Sequence, residues 1–175
     1  NGQGTAAGEW HSYSADLYGS KYSPLDQITG ENFVDLEVAW QWRTADSHLP
    51  YERGQGVSEV KAETLFDLLE AERPGRWVTR PNIGRLSATP LMVNGVLYLV
   101  TPLYQAAAVH GGTGETLWVH NPRVYEEGSP PLPAPWNHRG AAYWAKDQEA
   151  RIVWGTGDGF LTAVDVETGL LVEDF

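Results

Sequence analysis

The chain contains no cysteine, which excludes disulfides and thiolate metal sites and leaves the redox compartment open. Basic residues are scarce: 12 Lys and Arg stand against 23 Asp and Glu, for a formal net charge of −11. This balance argues against nucleic acid as a partner, because phosphate contacts require clustered Lys and Arg. No stretch approaches ~18 consecutive apolar residues, so no membrane-spanning helix is expected. The five His are scattered, with no pair at ligand spacing, which makes zinc chemistry a poor reading. No leader-like segment opens at Asn1, and a mature chain would have lost one.

Turn-forming and aromatic residues are abundant instead, with 19 Gly, 11 Pro, eight Trp and eight Tyr in 175 residues. That mixture suits pleated, turn-rich, all-β structure. Within it a motif recurs at an offset of 55 residues: Ala108-Val109-His110-Gly111-Gly112-Thr113-Gly114 returns as Ala163-Val164-Asp165-Val166-Glu167-Thr168-Gly169. Extended without gaps, the alignment lays Thr101 on Thr156 and Leu97-Tyr98-Leu99 on Ile152-Val153-Trp154. A repeat of this kind means that one supersecondary unit has been copied.

The first copy identifies the unit. Ala88–Val93 ends in Asn94-Gly95, a two-residue hairpin signal, since both central positions of a type I′ turn need positive φ. Val96–Thr101, Ala106–His110 and Thr116–His120 follow as short apolar or alternating runs separated by turns. The second copy reads Gly140–Trp144, Arg151–Gly155, Leu161–Asp165 and Leu170–Glu173. Four short antiparallel strands per repeat is the make-up of a β-propeller blade. No 3.6-residue periodicity runs through either copy, which excludes stacked helix pairs. The expected organisation is an N-terminal segment (1–46), an insertion (47–86) and two blades (87–122 and 136–175), joined by a Pro-rich stretch. Inside the insertion, residues 58–72 predict one helix, with Ser58 as N-cap and Val60, Leu65, Leu68 and Leu69 as its apolar stripe.

In Ala108-x-x-x-x-Thr113-Gly114-x-x-x-Trp118 the small Ala permits close approach, Thr-Gly makes a tight turn, and the Trp can bury its ring against a neighbouring blade. The second copy has Glu173 at the Trp position, so Phe175 is its candidate substitute. Asp158 and Asp165 sit in turn motifs where Asp caps its own backbone, and both are read as structural.

Several of these segments resemble the pyrroloquinoline-quinone (PQQ) dependent, or quinoprotein, dehydrogenases that act on glucose and alcohols. The opening Glu9-Trp10-His11-Ser12-Tyr13-Ser14-Ala15-Asp16, Lys21–Ile28 and Leu36-Glu37-Val38-Ala39-Trp40 are similar to that family's start. Ala88–Tyr98 resembles its first complete blade, and His138–Trp144 with Gly155–Gly159 its next. Only the 47–86 insertion lies outside the likeness. The resemblance implies a closed eight-bladed propeller of which this chain supplies about two blades. It also implies hydride transfer from a sugar or alcohol hydroxyl to PQQ, with a carboxylate base and a Ca²⁺ ion as Lewis acid.

For site residues, the resemblance points to Arg139, whose planar fork can hold a PQQ carboxylate. Relatives that oxidise alcohols carry adjacent cysteines just before this Arg, as one face of the cofactor sandwich. Here Pro135-Trp136-Asn137-His138 stands in their place, leaving His138 or Trp136 as the candidate face. Ser87 occupies a position where relatives carry Glu. The family's catalytic base and calcium ligands lie mainly in later blades, so no catalytic or metal-binding residue is assigned. The implied partners are the remainder of the propeller, or a second chain completing it, and cytochrome c or a quinone as electron acceptor. The implied location is periplasmic or extracellular. The alternative is a non-catalytic propeller of PQQ-like repeats that binds other proteins.

Overall fold

The computed structural model describes residues 5–16, 18–53, 56–83, 86–132 and 135–173. Three antiparallel sheets organise it. A hairpin of β1 (His48–Arg53) and β2 (Gly56–Lys61) leads into helix α1 (Ala62–Glu72). The first blade is a four-stranded meander of β3 (Leu91–Val93), β4 (Val96–Val100), β5 (Ala106–His110) and β6 (Thr116–His120). A single helical turn, α2 (Val124–Glu127), interrupts the connection to the second blade. That blade comprises β7 (Ala142–Lys146), β8 (Glu149–Gly155) and β9 (Leu161–Asp165). The chain is thus mostly β, a propeller fragment rather than a closed ring.

The Asn94-Gly95 turn forms as the sequence predicts, with φ of 51° and 78° and Val93 opposite Val96. Runs β5, β6 and β9 match the sequence reading residue for residue. The fourth strand expected at Leu170–Glu173 is reduced to one bridge, Val164 to Leu171, flanked by Val172 N to Ala163 O at 2.9 Å.

The inserted helix is shorter than the sequence predicts. Ser58 caps no helix but lies in β2 opposite Tyr51, and Val60 pairs with Leu49. Pairing with β1 supplies backbone partners that an isolated first helical turn would lack, so the strand wins over the local capping signal. From Ala62 onward the helical pattern holds, and Leu65 and Leu69 are buried. Phe66 joins them, and this face packs with Trp77, Tyr125 and Trp136 into a core under the insertion.

A second core lies between the blades. Leu91, Val93, Val100 and Ala108 of the first sheet pack with Ile152, Trp154 and Val164 of the second. The tryptophan docking inferred from the motif is present. Trp118 donates its indole N–H to Val166 O at 2.9 Å, and its ring lies over Gly169. Trp40 repeats this contact one step earlier, donating to Gly111 O at 3.0 Å with its ring over Gly114. Residues 111 and 166 are equivalent in the repeat, so Trp40 stands to the first blade as Trp118 stands to the second. Docking through Phe175 falls outside the described residues.

A buried carboxylate ties the N-terminal segment to this frame. Asp46, fully buried, accepts from Thr101 Oγ1 (2.6 Å), Gln105 Nε2 (2.6 Å) and Leu103 N (3.1 Å). Burial raises its pKa above the ordinary 3.8, because desolvation disfavours the charged form.

Candidate functional site

The edge strands β3 and β7 begin side by side. Thr89 N donates to Arg139 O at 3.0 Å. Gly140 follows with a φ of 153°, a conformation that side-chain-bearing residues rarely adopt, while an added Cβ would make only an ordinary contact, 3.4 Å, with Thr89 O. The N-terminal run lines the same edge. Trp10 forms a two-bond bridge with Met92, and His11 stacks obliquely on Tyr143 with ring centroids 5.6 Å apart. The segment carrying Ser87 and the segment carrying His138-Arg139 are therefore brought to one rim, although the whole first blade and the connection after it separate them in sequence.

Each residue there has a distinct status. The Arg139 side chain is exposed, and its guanidinium makes no hydrogen bond or ion pair with any described residue. Ser87 is half-buried, and its hydroxyl likewise bonds to no described residue. His138 is fixed in one tautomer: Nδ1 accepts from Gly140 N at 3.2 Å, so Nε2 carries the proton and donates to Gly155 O at 3.0 Å. Tyr104 meets the His138 ring edge-on, at 5.6 Å and 85°. Burial lowers the imidazole pKa below 6.5, so the ring is a neutral plate at physiological pH. An NMR titration of His138 is expected to place its midpoint below 6.5; a midpoint above that value would mean that burial does not govern the ring.

Trp136, the other candidate cofactor face, is instead a core residue. Its side chain is buried, its indole N–H donates to Thr79 O at 2.7 Å, and its ring packs against Tyr104. A ring committed on these sides supports the loop rather than facing a ligand.

The rim offers donors rather than a base. Among the described residues the guanidinium and hydroxyl groups are uncommitted, and two further polar atoms of the N-terminal run, Trp10 Nε1 and Ser12 Oγ, are buried without a described hydrogen-bond partner. Donors of this kind fit a flat, carboxylate-bearing molecule. The tempting carboxylates are occupied in turns, as the sequence suggested. Asp165 Oδ1 accepts from Glu167 N, Thr168 N and Thr168 Oγ1, and Asp158 Oδ1 from Thr156 Oγ1. Among the described residues no group of three or more His, Cys, Asp or Glu converges as a metal site. Sequence reasoning missed Tyr104, Asp46 and the docking role of Trp40. Only Trp40 had a legible signal, a Trp after an apolar residue as in Leu117-Trp118 of the first blade.

The pattern of one family, described as PQQ: glucose/ethanol/alcohol dehydrogenase, beta-propeller domain, matches residues 10–175. The chain is 32% identical to the dehydrogenase subunit of the quinone alcohol dehydrogenase of Gluconobacter oxydans, over 94% of its own length and 16% of that protein's. It is 27% identical to the quinoprotein glucose dehydrogenase of Escherichia coli, over 95% of its length and 18% of the relative's. The quinohemoprotein alcohol dehydrogenase of Comamonas testosteroni shares the fold with a TM-score of 0.66 at 23% identity, covering 97% of this chain and 20% of that one. The chain thus spans less than a fifth of the length of these curated relatives. With two docked blades, the repeated tryptophan contacts and a match over nearly its whole length, the chain belongs to the β-propeller domain family of PQQ glucose, ethanol and alcohol dehydrogenases.

Proposed function

We propose that residues 1–175 form the N-terminal portion of one propeller domain in a quinoprotein dehydrogenase that oxidises a sugar or alcohol hydroxyl. The observation that carries this reading is the uncommitted Arg139 guanidinium, set on the rim where the two blade edges meet through Thr89 and Arg139. PQQ, when bound, supplies an ortho-quinone that accepts hydride, with Ca²⁺ as Lewis acid. Arg139 would pair with one of its carboxylates in a charge-assisted fork. The neutral His138 ring would cover one face of the quinone, and the Ser87 hydroxyl would donate to its rim. None of these groups takes the substrate proton, so we assign the base and most of the calcium ligands to later blades, as the family resemblance implies.

The partner that completes the ring is the remaining propeller or a second chain. Residues 36–44 form neither helix nor strand among the described residues, and Val38 within them is 74% exposed. Trp40 nonetheless docks as an outer-strand tryptophan does, which supports this run as the outer strand of a blade whose inner strands lie elsewhere. We assign the electron acceptor as cytochrome c or a quinone, and the compartment as periplasmic or extracellular. Among the described residues no helix is long and apolar enough to cross a membrane.

The test is Arg139→Ala in the full-length protein, read as PQQ affinity by direct titration. A loss of about 30-fold or more, equivalent to about 2 kcal/mol, is expected for removal of a charge-assisted pair. Unchanged affinity would overturn the cofactor reading in favour of a protein-binding scaffold.

A further inference from the structure

We propose that Ser129 and Trp136 are positioning residues, which clasp the loop before β7 onto the inserted segment and so preset Arg139 for an anionic ligand; this rests on the cofactor reading above. The connection from His120 to Ala142 is long and, among the described residues, holds only the single turn α2. A connection of this kind samples many conformations unless it is tied down, and each ordering step at the moment of binding subtracts from affinity. Arg73, Arg76 and Trp77 of the insertion hold its α2 stretch through the carbonyls of Glu127, Glu126 and Tyr125, and Thr79 ties the stretch that follows. Thr79 N donates to Ser129 Oγ at 2.9 Å, and Ser129 Oγ donates back to Thr79 O at 2.9 Å. Trp136 Nε1 donates to the same Thr79 carbonyl at 2.7 Å.

From Trp136 the restraint reaches the site by a short path. Its ring packs on Tyr104, whose hydroxyl donates to Pro135 O and whose ring meets the edge of His138. Arg139 is the next residue. Ser129 itself is half-exposed and adds no apolar burial, so its two hydrogen bonds serve to hold one loop against another. The insertion thereby has a role at the rim although none of its described side chains is placed there.

The experiment uses the full-length protein without cofactor, titrated with PQQ, in Ser129→Ala, Trp136→Phe, Arg139→Ala and the double variants. Ser129→Ala is expected to weaken PQQ about tenfold with little change in the melting temperature of the apoprotein. It should also speed hydrogen exchange at the Thr89 and Gly140 amides, which bond to Arg139 O and His138 Nδ1. In the Arg139→Ala background the same substitution should cost no further affinity, because a positioning residue acts only through the group it positions. Trp136→Phe keeps a ring and removes the donor; should it fail to fold, Ser129→Ala decides alone. If Arg139→Ala weakens PQQ but Ser129→Ala does not, or if the two losses simply add, the clasp is refuted and the cofactor reading stands. If Arg139→Ala leaves affinity untouched, both fall together.

Discussion

Asp46→Ala is expected to lower the unfolding free energy by about 3–5 kcal/mol, measured by urea denaturation of the full-length protein. Three donors converge on this carboxylate, from Thr101, Leu103 and Gln105, and all lie in the buried β4–β5 connection. Orphaning a buried donor costs about 1–3 kcal/mol, and the three losses overlap because they share one site. A loss below about 1 kcal/mol would show that water replaces the carboxylate. Asp46→Asn sharpens the test: one oxygen can still accept from Thr101 and Gln105, but the amide N–H₂ then opposes Leu103 N. The pH dependence has a definite sign. Because burial holds the folded pKa above 3.8, the folded state binds the proton more tightly than the unfolded one. The resulting stabilisation is fully present below 3.8 and is lost as pH rises through the folded value. Relative to Asp46→Asn, the wild-type protein should therefore gain stability on acidification.

The second large effect is expected at the blade junction. Gly169 has φ of 68°, and a Cβ added there would lie 2.6 Å from Trp118 Cδ2. Gly169→Ala must therefore both strain the backbone and displace the indole from Val166 O, at about 2–4 kcal/mol. Trp118→Ala removes the ring and its hydrogen bond, at about 3 kcal/mol or more. The double variant separates the contributions. With the ring gone, only the backbone term of about 1 kcal/mol should remain at residue 169. Strictly additive losses would mean that ring and glycine are not in contact. Gly114 and Trp40 are expected to respond in the same way, since an added Cβ at Gly114 would also lie 2.6 Å from the ring.

The sequence carried the blades because their turns are chemically specific and their strands repeat. Asn94-Gly95 and the two Thr-Gly turns set the register, and β5, β6 and β9 fall where the repeat placed them. The β1–β2 hairpin was not legible. Ser58-Glu59-Val60-Lys61 reads locally as a helix start, and only the distant pairing of Val60 with Leu49 makes it a strand. At the site, the Thr89–Arg139 backbone bond brings the segments of Ser87 and His138-Arg139 together, while Trp136 is buried with its indole on Thr79 O. A tryptophan beside a cofactor motif looks alike whether its indole faces a ligand or a backbone carbonyl; the partner, Thr79, comes from an insertion without a repeat to interpret it. Asp46 was silent for the same reason, since its three donors lie more than 50 residues away.

The tryptophan contact is directional. Trp40 is handed forward to Gly114 and Trp118 to Gly169, whereas Glu173 stands where the second blade would hand on a ring of its own. The first blade is thus a socket on one side and a plug on the other, so units joined in this way run head to tail and a two-fold pair cannot satisfy both ends. A polar series of this kind either bends round to its own beginning or runs on as a filament, and Glu173 leaves the second blade's forward bond to some other group, for which Phe175 is the candidate.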